Sequence, residues 1–246
     1  MNLCIDIGNS LVKTAVFSGQ DIVSRLFLTT LGIDEVNTLA SEYPGIKHVI
    51  ICSVKPDDSS LADKLRQRFG HIINFTENTP VPVENLYETT ETLGKDRLAG
   101  VIGANNIFPS SNVLIIDAGT AITFDVVDSH NRYIGGNISP GIGMRFRALH
   151  EFTGKLPLVE PQTAVSFPLL ARKTKDSIIA GVQNGIIFET DSYISLLKES
   201  FEDLKIILTG GYTNFFDKKL KNTIFVDPDL ILKGLNRILI YNVENK

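Results

Sequence analysis

One short plan occurs twice in the chain. LCIDIGNS at residues 3–10 runs an apolar strand into Asp6, turns at Gly8 and resumes an extended pattern at Val12–Phe17. VLIIDAGTAITFDVV at residues 113–127 repeats it: apolar strand, Asp117, Gly119, Thr120, then a second strand. Two copies at matched places predict a duplication at domain scale, because a solenoid repeat would have a much shorter period.

The rest of the pattern is consistent with two related halves. Strands are predicted at 2–7, 11–17 and 22–28, joined by tight turns into a meander, then a helix at 33–43 and a buried β-branched strand at 48–54. A helix at 59–69, with Leu61, Leu65 and Phe69 on one face, leads to a strand at 71–75. Residues 76–94 carry Pro80 and Pro82 without a period and read as a functional loop, followed by a helix at 96–107. The second half begins again with strands at 112–117, 121–128 and 131–138 and a helix at 143–151. An irregular stretch at 152–173 precedes a long helix at 176–200, a strand and glycine turn at 205–211, a helix at 213–220, a strand at 223–226 and a last helix at 229–241. The expectation is an α/β protein of two duplicated half domains with mixed sheets, residues 1–111 and 112–246, enclosing a cleft.

The repeated hairpin carries its own chemistry. A glycine turn lets backbone approach a ligand, and its N–H groups form an anion-binding concavity. Asn9, Ser10 and Thr120 add donors, and Lys13 adds a point charge suited to phosphate. Asp6 and Asp117 do not bind phosphate themselves; carboxylates beside phosphate imply an intervening cation. Two such hairpins suit a nucleoside triphosphate. There is no GxxxxGK[ST], no GxGxxG after a strand, and the 4 histidines form no triad.

Composition narrows the class. With 43% hydrophobic and 21% charged residues and a net charge of −4, the chain reads as an ordinary globular protein, with no pull toward nucleic acid or an anionic membrane. It shows no membrane-length apolar run and no signal-peptide pattern, and Cys4 and Cys52 suit buried thiols in a reducing cytoplasm.

DIGNSLVK, LGKDRLAG, DAGTAITFDVV, GGNISPGIGMRFRALHEFTGKLP, LTGG and DPDLILKGL occur in order over nearly the whole chain. Together they resemble the type III pantothenate kinases, of the acetate and sugar kinase, Hsp70 and actin superfamily. The resemblance implies actin-like (ribonuclease H-like) half domains, ATP with Mg²⁺ in the cleft, a homodimer, and transfer of the γ-phosphoryl of ATP to the primary hydroxyl of pantothenate. It implies ATP contacts from Asp6, Ile7, Gly8, Asn9, Ser10, Leu11, Val12, Lys13 and Thr120. It implies a monovalent cation, potassium or ammonium, on Asp117, and pantothenate contacts from Tyr87, Gly94, Lys95, Asp96, Arg97 and Thr174, with Asp96 as proton acceptor. Lys95 departs from the family's usual small residue at its position. Read without the resemblance, Asp96 also suits a helix N-cap, Thr174 a helix cap and Tyr87 loop packing. Two other functions fit the same fold: a relative acting on another small acceptor or phosphoanhydride, and a nucleotide-binding regulatory or filament-forming protein.

Overall fold

A computed structural model describes residues 1–53, 59–162, 166–216 and 219–245, with backbone alone at 59–62. In chain order the elements are β1 (Asn2–Ile7), β2 (Val12–Ser18), β3 (Asp21–Leu28), α1 (Ile33–Glu42), β4 (His48–Ser53), α2 (Ser59–Arg68), β5 (His71–Asn74), β6 (Glu84–Asn85) and α3 (Lys95–Ile107). They continue with β7 (Val113–Ala118), β8 (Ala121–Val127), β9 (Arg132–Pro140), α4 (Ile142–Glu151), α5 (Thr174–Ser200), β10 (Lys205–Thr209), α6 (Thr213–Phe216), β11 (Phe225–Val226) and α7 (Leu230–Glu244). Position 54 of the predicted fourth strand, 163–165 of the irregular stretch and 217–218 of the predicted sixth helix lie outside the described residues, as does the Leu61 side chain.

One sheet has the order β3-β2-β1-β4-β5 and the other β11-β10-β7-β8-β9-β6. Counted within each half, five strands follow the same order in both sheets: third, second, first, fourth, fifth. In both, the first two strands are antiparallel, while the first and fourth, and the fourth and fifth, run parallel. The duplication inferred from two aspartate turns thus extends to the whole strand order. β6 is an addition, inside what the sequence reads as bare loop; it pairs Glu84 with Arg132 and Asn85 with Tyr133.

The described residues form two compact units, Met1–Ser110 with Ser129–Gly135 and Asp229–Lys246, and Ser111–Asp128 with Gly136–Pro228. The sequence reading divides the chain once, at 111/112, and so places the last helix with the second half. In the structure α7 packs on α3 and on β1 and β4 of the first unit, burying Leu230, Leu235, Ile238 and Leu239. Its apolar face alone does not say which sheet it covers.

Strand alternation sends the two faces of each sheet to different tasks. In the first unit Leu3, Ile5, Val12, Val16, Val49 and Ile51 pack with Val36 and Leu39 of α1 and Leu65 of α2. Their neighbours Cys4, Asp6, Lys13 and Cys52 fall on the opposite face. In the second unit Leu114, Ile116, Phe124, Ile206 and Leu208 pack with Phe146 of α4 and Ile178, Ile186 and Ile194 of α5. There Asp117 and Thr209 fall on the opposite face.

Candidate active site

In the first unit, strand register builds a row. Phe27 pairs with Lys13, Lys13 with Asp6, and Asp6 with Cys52, so these four side chains stand side by side at the carboxyl end of β1. Asp6 is 5% exposed and Cys52 is fully buried. Burial pushes the Cys52 thiol well up, the charges of Asp6 and then Asp96 push it further, and Lys95 opposes them. α3 packs against β4, the strand that carries Cys52. After β1 the chain turns on Gly8, whose N–H donates to the Leu11 carbonyl at 3.0 Å. Asn9, Ser10 and Leu11 are left exposed at the tip.

Asp96 is not the N-cap of α3, as its local sequence also allowed. Gly94 caps the helix, and Asp96 follows one residue after Lys95. Its Oδ1 accepts the Arg97 backbone N–H at 2.8 Å. A side chain at 94 would bring its Cβ to 2.6 Å from that same oxygen, so glycine is what lets the carboxylate fold back over the helix start. An anionic side chain there also complements the partial positive charge of the helix N-terminus.

Arg97, buried despite its charge, lies 5.4 Å from the centre of the Tyr87 ring. Tyr87 in turn stacks on Tyr133, with ring centres 5.9 Å apart and planes within 8° of parallel. The Tyr87 N–H donates to Asn85 Oδ1 at 3.1 Å, and the Leu86 N–H to the Tyr133 carbonyl at 3.0 Å. The loop at 76–94 is therefore pinned in its middle to the start of β9. The Arg97 N–H links Asp96 to Arg97, and Arg97 in turn lies over Tyr87, so the three residues are neighbours. Cys52 beside Asp6 and Tyr133 stacked on Tyr87 were not foreseen. Their roles come from strand register and a ring stack, which no local motif encodes.

The second unit draws three separate motifs onto one turn. Gly119 and Thr120 join β7 to β8, and the Gly119 N–H donates to the Ala121 carbonyl at 3.0 Å. This hairpin is two residues shorter than its counterpart at 8–11. The exposed Thr120 accepts the Gly141 N–H on its carbonyl at 3.2 Å, which ties in the SPGIG segment. A Cβ at Gly141 would press on the carbonyls of Thr120 and Gly119. The LTGG segment closes the other side: the Tyr212 N–H donates to the Ala118 carbonyl at 3.0 Å, and Gly210 has φ +96°. A Cβ at 210 would meet the Asp117 carboxylate and the Ala118 carbonyl. Only glycine fits that approach and that dihedral.

Asp117 lies in register with Thr123 of β8 and Thr209 of β10, on the face away from the apolar core. Thr209 is 1% exposed, and its hydroxyl has no hydrogen-bond partner. Among the described residues no group of three or more His, Cys, Asp or Glu side chains gathers. A cation at Asp117 would therefore take its other ligands from hydroxyls, carbonyls or a bound phosphate. Thr174 is the first residue of α5; the N-cap position falls on Lys173, which makes no side-chain cap bond.

The family pattern described as type III pantothenate kinase matches residues 2–195. A type III pantothenate kinase of Phocaeicola vulgatus is 46% identical over 98% of this chain and 99% of its own. Among solved structures, one titled a conserved putative Baf family transcriptional activator from Campylobacter jejuni has a TM-score of 0.63 at 23% identity, covering 98% of this chain and 99% of its own. MreB5 of Spiroplasma citri, solved with ADP, has a TM-score of 0.54 at 14% identity over 100% of this chain and 98% of its own. Those two likenesses establish an actin-like fold. The full-length identity and the breadth of the pattern match establish more: the chain belongs to the type III pantothenate kinase family.

Proposed function

We propose that this chain phosphorylates pantothenate with ATP, giving 4′-phosphopantothenate and ADP, the first step of coenzyme A biosynthesis. Family membership carries the activity. What supports the residue assignment is the arrangement of Asp96, held by the Arg97 N–H at the start of α3, beside the stack of Arg97 on Tyr87. Phosphoryl transfer needs positioning, charge neutralisation and a group to take the hydroxyl proton. Asp96 takes that proton as the pantothenate oxygen bonds to the γ-phosphorus and ADP leaves. Arg97 supplies charge to the pantothenate carboxylate. Tyr87, Gly94, the backbone of Lys95 and Thr174 complete the acceptor contacts. The turn from Asp6 to Lys13, with Thr120, binds the ATP phosphates. A regulatory or filament-forming role would not need a carboxylate set beside a cationic acceptor patch.

Two cations belong to this reading. Mg²⁺ accompanies ATP, with Asp6 as the nearby carboxylate. Asp117 fits a monovalent cation, potassium or ammonium: it stands next to a buried, unpaired Thr209 hydroxyl, and an oxygen of that kind is costly to leave unsatisfied. When bound, such a cation would offset phosphate charge. A homodimer is part of the same proposal, supported by exposed Phe188 and Leu196 on α5 and by Leu169 and Leu170 ahead of it. The buried, unpaired Cys4 and Cys52 support a reducing cytoplasm. Among the described residues no helix is long and apolar enough to cross a membrane. The test is a coupled ADP-release assay with pantothenate and a panel of other small alcohols. Release driven by another alcohol in preference to pantothenate would overturn the assignment.

A further inference from the structure

A lysine as the first residue of a helix is a local misfit, since the open N–H groups there repel a cation. Lys95 occupies that position in α3, and its side chain turns back toward the preceding loop. Its Nζ donates to the Leu93 carbonyl at 3.3 Å and lies 3.3 Å from the Glu77 carboxylate. The lysine side chain is 16% exposed and the glutamate 40%, so water screens this pair less than two fully exposed charges. The Glu77 carboxyl is held below its usual range by its own backbone N–H and then by Lys95.

The two partners mark the ends of one segment. Glu77 stands at the start of the 76–94 loop and Leu93 at its finish. Between them the loop carries Tyr87, pinned to Tyr133 at its middle. Lys95 itself adjoins Asp96 and Arg97. One ammonium thus joins the beginning of the loop, its end and the helix start that bears the reacting carboxylate.

We propose that Lys95 is a positioning residue: through Glu77 it closes the 76–94 loop onto the start of α3, and so holds Tyr87, Arg97 and Asp96 in one arrangement. This deepens the pantothenate kinase reading and rests on it for its kinetic consequence. The structural part, that the ion pair orders the loop, stands without it.

The experiment compares Lys95→Met, Glu77→Gln, the double variant and Lys95→Arg in the full chain. Partly exposed ion pairs shift an equilibrium by roughly fivefold at most. Lys95→Met and Glu77→Gln are each expected to raise KM for pantothenate about two- to fivefold and to leave KM for ATP close to wild type. The double variant should match either single one, as partners in one interaction do. Lys95→Arg should restore most of the loss. Amide exchange across 76–94, read by mass spectrometry without substrate, should quicken by a similar factor in the Met and Gln variants. If Glu77→Gln keeps wild-type KM and exchange while Lys95→Met does not, Lys95 acts on the acceptor directly and the proposal is wrong. Additive losses in the double variant would overturn it too. If the wild-type chain does not turn over pantothenate, the functional reading fails, and loop exchange alone still decides whether the pair orders the loop.

Discussion

Replacing Asp96 with asparagine separates catalysis from stability. The asparagine side chain keeps an oxygen where Oδ1 accepts the Arg97 N–H at 2.8 Å, and Gly94 still leaves it room. What is lost is the negative charge and the capacity to take a proton. The lost charge at the helix N-terminus costs about 0.3–1 kcal/mol. For a chain of this size that is a fall in Tm of roughly 1–4 °C. Loss of a general base costs about 10²–10⁴ in kcat, or about 2.7–5.5 kcal/mol of barrier. The kinetic effect therefore exceeds the stability effect several-fold, and the two are measured apart by steady-state kinetics and thermal melting. Asp96→Ala should match the asparagine variant in kcat but melt lower, because it also frees the Arg97 N–H. Near wild-type kcat in Asp96→Asn at neutral pH, with only a lowered Tm, would reduce Asp96 to a helix-start residue and refute the proton-acceptor role.

Three further outcomes are expected. Lys13→Ala should raise KM for ATP well above any change in KM for pantothenate, since Lys13 stands beside Asp6 in the row assigned to phosphate; the reverse pattern in initial-rate kinetics would displace it from that role. Asp117→Asn should weaken the dependence of turnover on potassium and also the rise in Tm that potassium gives over a bulky organic cation at fixed ionic strength; an unchanged difference in melting would argue that Asp117 only braces its turn. Burial, then the charge of His71, lowers the pKa of His48 from 6.5, so the unfolded chain binds the proton more readily. The resulting stability is fully present above about pH 6.5 and is lost as the pH falls toward the folded value. Urea unfolding between about pH 7.5 and about 5 should show this slope flattened in His48→Asn, and an identical slope in both proteins would assign the effect to other groups.

Local signals carried the sequence reading a long way. One Asp-x-Gly turn is a common feature, but two at matched places between apolar runs point to the duplication that the strand orders of both sheets display. Gly94 through Arg97 stands out only as part of the ordered set of family motifs, and the stretch before it only by its prolines and lack of a period. What stayed hidden depends on distant partners. The pairing of β6 with β9 brings Asn85 to Tyr133, and no period in residues 76–94 announces a strand only two residues long. The destination of α7 turns on which sheet its apolar face covers, and an amphipathic pattern does not specify that. Cys52 reads as one more apolar position in HVIICSV until register sets it against Asp6. Lys95 looks like a misplaced charge until the fold brings Glu77 within 3.3 Å of it.

The measurement that bears most directly on the central claim is product identity. The purified chain, incubated with ATP labelled at its γ-phosphate, Mg²⁺, potassium and pantothenate, should move the label onto pantothenate and release ADP in equal amount, with the product a monoester at the primary hydroxyl by mass spectrometry and phosphorus NMR. Pantothenate lacking that hydroxyl should accept nothing. Label appearing as free phosphate at the same rate with and without pantothenate, or on another alcohol in its presence, would contradict the claim.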